Sequence, residues 1–136
     1  MKPLTIATML LAPVIGLAED KATPHRDYGR FINALHYVEA SGRTGQLLGD
    51  NGRSLGPLQI GRAYWVDSRV PGRYEQCADL AYSRRVVTAY MRRYAKDALV
   101  NGGWEKLARI HNGGPAGHLR KSTLPHWRKV KSALGK

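Results

Sequence analysis

Val38-Glu39-Ala40-Ser41-Gly42 and, a few residues on, Gly49-Asp50-Asn51-Gly52-Arg53-Ser54-Leu55-Gly56-Pro57-Leu58-Gln59-Ile60 form the stretch on which the fold turns. The first string closes a segment whose apolar residues, Tyr28, Phe31, Ile32, Leu35 and Val38, recur at three- and four-residue spacing. That is the period of a helix with one buried face, so an amphipathic helix is expected from about Asp27 to Ala40. Ser41-Gly42 ends it and leaves Glu39 in the last turn. In the second string Asn51-Gly52 is a dipeptide favoured in tight hairpins, because both positions tolerate positive φ. A small, irregular β-hairpin is expected there rather than a large sheet. Pro57 is then expected to open a helix as a first-turn residue, running to about Ser68.

Downstream, the longest helix is expected within Tyr74–Leu99. Leu80, Val86, Val87, Tyr90, Met91 and Tyr94 give it a broad apolar face, opposite Arg84, Arg85, Arg92, Arg93 and Lys96. Asn101-Gly102-Gly103 breaks the pattern. Trp104 to His111 makes a shorter helix stopped by Asn112-Gly113-Gly114-Pro115, and a basic helix covers roughly Pro125–Leu134. The class is mainly α (α+β), with about five helices and one small β-hairpin.

Upstream, Met1-Lys2 is a short positive start, Leu4 to Leu17 is mostly apolar, and Gly16-Leu17-Ala18 supplies the small residues a signal peptidase reads. Residues 1–18 are therefore expected to be a signal peptide cleaved after Ala18. The apolar run is interrupted by Pro13 and falls short of the roughly 20 residues of a spanning helix, so no transmembrane anchor is expected. Residues 19–26 read as a flexible lead and 27–136 as one catalytic-size domain. The expected location is secreted or periplasmic, and the expected state a monomer.

Export usually accompanies disulfides in small domains, yet Cys77 is the sole cysteine, so no intramolecular disulfide can form. Cys77 reads as a small buried hydrophobe. The chain carries 22 Lys and Arg against ten Asp and Glu, a formal net charge of +12. Loss of Lys2 with the leader changes this little. Such a balance attracts anionic polymers, nucleic acid and bacterial wall alike, and does not choose between them. An exported chain meets anionic wall or surface polymers first, and no specific nucleic acid is expected as a partner. His25, His36, His118 and His126 show no metal-ligand spacing, and no HExxH, CxxC or phosphate-cradling loop occurs, so no metal or cofactor is expected.

With so few acids, Glu39 and Asp50 stand out as punctuating consecutive elements. A carboxyl pair facing across a cleft is what glycosidic cleavage needs, one acid to protonate the leaving oxygen and one carboxylate to face the oxocarbenium-like carbon. Glu39, beside Val38 at the inner end of a helix, should be partly desolvated, which raises its pKa and keeps it protonated. Asp50, in a polar turn near Arg53, is expected as the ionised partner. A solvated helix-end glutamate and a routine Asp-Asn-Gly turn are the plainer alternative, and spacing alone leaves both open.

Three ordered blocks carry a resemblance. They are Val38-Glu39-Ala40-Ser41-Gly42 with Asp50 to Ile60 and Ala63-Tyr64-Trp65-Val66-Asp67; Gln76-Cys77-Ala78-Asp79 with Tyr90-Met91-Arg92-Arg93-Tyr94; and Ala108-Arg109-Ile110-His111-Asn112-Gly113-Gly114-Pro115 with Lys121 to Leu124 and Trp127 to Lys131. The chain resembles the invertebrate-type (i-type) lysozyme or destabilase family over about residues 30–132. The resemblance implies a lysozyme-like fold and hydrolysis of the β-1,4 bond between N-acetylmuramic acid and N-acetylglucosamine in peptidoglycan, a bacteriolytic, antimicrobial activity. It places the general acid on Glu39 and the nucleophile or stabiliser on Asp50, with retention of configuration. Tyr64, Trp65, Tyr90, His111, Asn112, Gly113 and Gly114 would line the sugar cleft, with Ser54 and Gln59 supporting the hairpin. One of Tyr64 and Trp65 is expected to be core, since adjacent helix residues cannot point the same way. The family is rich in disulfides, whereas this chain keeps only Cys77, so its stability must come from packing.

Three other readings stand beside hydrolysis. Glu39-Ala40-Ser41-Gly42 and Gly56-Pro57-Leu58-Gln59 echo lytic transglycosylases, which work with one glutamate, so Asp50 argues for hydrolysis. A destabilase-type isopeptidase would need a nucleophile such as Ser54 with a base such as His111, though nothing in the spacing pairs them. A basic antimicrobial or wall-binding protein could act through charge alone.

Overall fold

The computed structural model describes residues 22–136; the expected signal peptide lies outside the described residues. Helix α1 (Tyr28–Ala40) forms where the apolar spacing placed it, burying Phe31, Ile32 and Leu35. Ser41 caps it in the left-handed region, φ 53°, and returns its N–H to the Tyr37 carbonyl. Phe31 anchors the interior by stacking on Trp104 at 5.4 Å. Burying a side chain of that size contributes roughly 2 kcal/mol.

The chain then makes a three-stranded antiparallel meander of two-residue strands, β1 (Leu48–Gly49), β2 (Ser54–Leu55) and β3 (Ile60–Gly61). Leu48 pairs with Leu55 and Gly49 with Ser54, while Ser54 pairs with Gly61 and Leu55 with Ile60. The expected hairpin is thus β1–β2, extended by a third strand. That strand corrects the helix expected from Pro57. Gln59 sits at φ 48° and its amide donates to the carbonyls of Leu47 and Gly56, so residues 56–61 turn and pair instead of coiling. Helix α2 starts only at Arg62 and runs to Ser68.

The long apolar segment also divides. Tyr74–Ala78 forms a 3₁₀ turn, the Asp79 carboxylate caps α3 (Leu80–Tyr94) by accepting the Tyr82 N–H at 2.8 Å, and α4 (Lys96–Asn101) follows after a break at Ala95. Helix α5 (Trp104–Gly113) and α6 (Leu124–Leu134) complete six α-helices among the described residues. Pro125 lies in the first turn of α6, where a missing N–H costs nothing. α6 packs on α1 and α5, and α2 packs on α3. No helix among the described residues is long and apolar enough to cross a membrane.

The described part of the expected lead makes contacts with the helices. His25 donates its N–H to the Leu99 carbonyl at 2.8 Å, sets its ring against Trp104, and the Ala22 carbonyl accepts from Arg92 Nε at 2.9 Å. These contacts tie residues 22–26 to α3, α4 and α5.

Cys77 is free and fully buried, and burial pushes its thiol up to about 11, the state of an inert packing residue. Around it, hydrogen bonds fasten the neighbouring backbone. Ser83 Oγ donates to the Cys77 carbonyl at 2.6 Å, and Gly45 N–H donates to Ala78 at 3.2 Å. Gly56, at φ 83°, brings the hairpin so close that a Cβ there would lie 1.8 Å from the Cys77 oxygen.

Candidate functional site

Glu39 is the centre of a buried polar cluster assembled from four elements. The last turn of α1 turns its side chain inward, leaving it 17% exposed. Its Oε1 lies 2.7 Å from His126 Nε2 on α6 and 3.5 Å from His111 Nε2 on α5. His111 in turn is fixed at both nitrogens, by the Leu58 carbonyl 3.0 Å from Nε2 and the Tyr64 hydroxyl 3.0 Å from Nδ1. A carbonyl can only accept, so Nε2 carries the proton, and Nδ1 must accept from the phenol. Burial pushes the Tyr64 phenol well above its usual range, which keeps that donor proton in place.

This cluster reverses the direction expected for Glu39. Burial does push its carboxyl up, as its apolar position implied. The hydrogen bonds and positive character of His111 and His126 outweigh that penalty and bring it from 4.5 down to about 2. The expectation failed because both histidines arrive from distant parts of the chain.

Asp50 occupies a different environment. It opens the four-residue connection from β1 to β2, where Asp50, Asn51 and Gly52 all adopt positive φ, at 51°, 55° and 81°. Aspartate and asparagine tolerate that region better than most residues, but it remains a strained choice. Its side chain is 66% exposed and Oδ2 lies 3.9 Å from Arg53 Nε. Gly49, one residue earlier, has no room for a side chain, since a Cβ would meet Gln59 Oε1 at 1.8 Å. Gln59 hydrogen-bonds the backbone on both sides of this loop, to Leu47 and Gly56, and Ser54 pairs with Gly49 at its end.

The expected sugar-contacting residues divide. Tyr64 is partly exposed and stacks on Tyr90 with ring centres 3.6 Å apart. Tyr90 is only 3% exposed, wedged between Tyr64 and Tyr94, so the structure places it in the core instead of at a cleft edge. Trp65 spends its indole N–H on the Tyr82 hydroxyl at 2.9 Å. His111 is buried, with both ring nitrogens engaged by protein groups. Asn112 is exposed, and Gly114, at φ 82°, ends α5 with open space around it. Gly113 is a packing glycine, its missing Cβ facing the Thr123 methyl at 2.6 Å. The residue that sequence reading missed is His126, dismissed for lacking metal spacing; nothing local signals that α6 will lay it on Glu39.

A separate groove of about 950 Å³ runs along α3 and the segment after α2, lined by Arg69, Arg84, Arg85, Arg92 and Arg93. None of these five pairs with a carboxylate among the described residues. Asp67, the acid on the groove, accepts from the Tyr94 hydroxyl at 3.2 Å.

Known proteins resemble the chain in sequence and in fold. Lysozyme 1 of Crassostrea virginica is 45% identical over 84 residues, covering 60% of this chain and 46% of that protein. An invertebrate-type lysozyme of Ruditapes philippinarum is 37% identical over 84 residues, covering 60% of this chain and 62% of that protein. The chain thus spans about half to two thirds of the length of these curated relatives. Among solved structures, the inhibitor-bound lysozyme from Meretrix lusoria matches with a TM-score of 0.65 and 34% identity, covering 76% of this chain and 87% of that one. Tapes japonica lysozyme matches with a TM-score of 0.65 and 33% identity, covering 75% of this chain and 86% of that one. The family model described as Destabilase matches residues 34–133, and the chain belongs to that family, the one of the invertebrate-type lysozymes.

Proposed function

We propose that this protein is a secreted muramidase that hydrolyses the β-1,4 bond between N-acetylmuramic acid and N-acetylglucosamine in peptidoglycan. The observation that carries the reading is Glu39, a carboxyl withdrawn from solvent at the end of α1 and hydrogen-bonded to a histidine, in a chain of lysozyme fold. Glu39 acts as the general acid toward the glycosidic oxygen. Asp50, on the loop that follows the close Gly49–Gln59 contact, faces the anomeric carbon as nucleophile or electrostatic stabiliser. Water then attacks with Glu39 as base, and configuration is retained, an outcome that calls for a carboxyl separation of about 5 Å. Strained backbone at Asp50 supports a functional role, because such conformations collect at reacting sites.

Around the acids, the partly exposed Tyr64 edge, Trp65, Asn112 and Gly114 are the residues we assign to the sugar cleft. Tyr90 and His111 serve by holding Tyr64. The arginine groove supports attraction to anionic wall polymers, which raises local encounter without choosing the bond cut. An isopeptidase gains nothing from the geometry, since the nitrogens of His111 engage Tyr64 and Leu58 and leave no free base for Ser54.

The test is Glu39→Gln assayed by the turbidity of a peptidoglycan suspension. The reading expects clearing by the natural chain and loss of at least about a hundredfold in rate for the variant, with wall binding retained. Equal clearing by both would remove the enzymatic reading in favour of a charge-driven wall-binding protein.

A further inference from the structure

Glu39 faces a difficulty that its own surroundings create. A general acid must carry a proton before the bond breaks, but His111 and His126 hold this carboxyl in its ionised form. Held well below the usual carboxylate range, this carboxyl carries little proton of its own near neutral pH. The proton has to be kept somewhere else and delivered.

The two histidines are not equivalent as keepers. His111 is engaged by the protein at both ring nitrogens. The Leu58 carbonyl lies 3.0 Å from its Nε2 and the Tyr64 hydroxyl 3.0 Å from its Nδ1, so each ring nitrogen already has a protein partner. His126 is different. Its Nε2 contacts Glu39 at 2.7 Å, while its Nδ1 is buried without a hydrogen-bond partner among the described residues. No protein group fixes the proton count on that ring. The contact is also direct, at the short end of charge-assisted hydrogen bonds.

We propose that Glu39 and His126 form a single acid, in which His126 is a positioning residue that stores the proton and returns it to Glu39 across the Nε2–Oε1 contact. This deepens the muramidase reading and rests on it. The proton balance closes. The loaded pair is an imidazolium beside a carboxylate. As the glycosidic oxygen develops negative charge, the Nε2 proton crosses to the Glu39 carboxylate, which holds none of its own in the loaded pair. That same proton passes on to the leaving oxygen, leaving His126 neutral with its proton on Nδ1 and Glu39 again a carboxylate. In the second half, the proton lost by the attacking water enters the carboxyl and passes back to Nε2, restoring the imidazolium.

The groups facing the pair are few. From α5 it meets His111, whose ring centre lies 6.3 Å from that of His126, and behind His111 stands Tyr64 from α2. On α6 itself Arg128 and Lys129 are exposed, as is Lys121 on the 3₁₀ turn that packs against α6.

The experiment follows the Glu39 carboxyl carbon and the His126 ring nitrogens by NMR through a pH titration of the natural chain, and repeats the carboxyl titration in His126→Gln. Glutamine keeps a donor toward Glu39 but cannot take up a proton. The proposal expects the Glu39 signal of the natural chain to show a second inflection at the pH where the His126 ring titrates, and that inflection to vanish in His126→Gln. Independent titration of the two residues would overturn it, whether or not the protein lyses cell wall. The pH–rate profile adds the catalytic arm. In His126→Gln the alkaline limb moves toward acid by about one unit, a loss of about tenfold in kcat at pH 7. His126→Phe, which removes the donor and leaves burial to push Glu39 up, recovers part of that limb. Profiles of Gln and Phe variants that superimpose on the natural one after scaling would reduce His126 to packing and overturn the proposal. Absence of lysis by the natural chain would instead refute the muramidase reading.

Discussion

Replacing Glu39 with glutamine and following stability into acid probes the cluster directly, without any substrate. The carboxyl sits at about 2 in the fold against an ordinary value of 4.5, with burial opposing and the histidine hydrogen bonds winning. Its side chain is only 17% exposed, so solvent screening removes little of the effect. A group whose folded pKa is depressed stabilises the fold fully above its unfolded value, and loses that contribution as pH falls through the folded one. The window is therefore from about pH 5 down to about pH 2, and the magnitude at about 1.4 kcal/mol per pH unit is roughly 3 kcal/mol. Urea unfolding of the natural chain and of Glu39→Gln across that window should show the advantage of the natural chain shrinking by about this amount. A difference that stays constant from pH 5 to pH 2 would refute the account of how Glu39 is held.

Other perturbations separate the remaining parts. Gly56→Ala places a Cβ against the Cys77 backbone in a position with φ 83°, so it should destabilise by more than about 2 kcal/mol or prevent folding, read by thermal melting. Gly52→Ala, with open space around it at φ 81°, should cost about 1 kcal/mol, strain alone. Tyr64→Phe deletes the donor to His111 Nδ1 and should cost about 1 kcal/mol of stability while lowering kcat more than it raises KM, measured on soluble peptidoglycan fragments. Arg85→Ala with Arg93→Ala should weaken binding to an anionic wall polymer and flatten its salt dependence, leaving cleavage of a short neutral oligosaccharide unchanged.

How much of this was legible beforehand follows from which forces were local. α1 and its Glu39 could be read because a 3.6-residue apolar period and the Ser41-Gly42 stop are properties of the segment itself. The hairpin could be read from Asn51-Gly52 for the same reason. Pro57 misled because its fixed φ suits a helix start and a turn equally, and the side chain of Gln59, reaching back to Leu47, decided for the turn. The break at Ala95 and the burial of Tyr90 depend on what α2 and α4 pack against, which no window of sequence contains. The site was half legible. Both acids fell on recognisable strings, whereas the pair His126–Glu39 joins residues 87 positions apart, and only the packing of α6 on α1 brings them together.

The central claim is that Glu39 drives hydrolysis of the glycan strand, and the products test it most directly. Purified peptidoglycan digested by the natural chain and by Glu39→Gln can be analysed by mass spectrometry of the released fragments. The account predicts fragments ending in reducing N-acetylmuramic acid from the natural chain and almost none from the variant. Anhydro-ended fragments, or equal release by the variant, would contradict it.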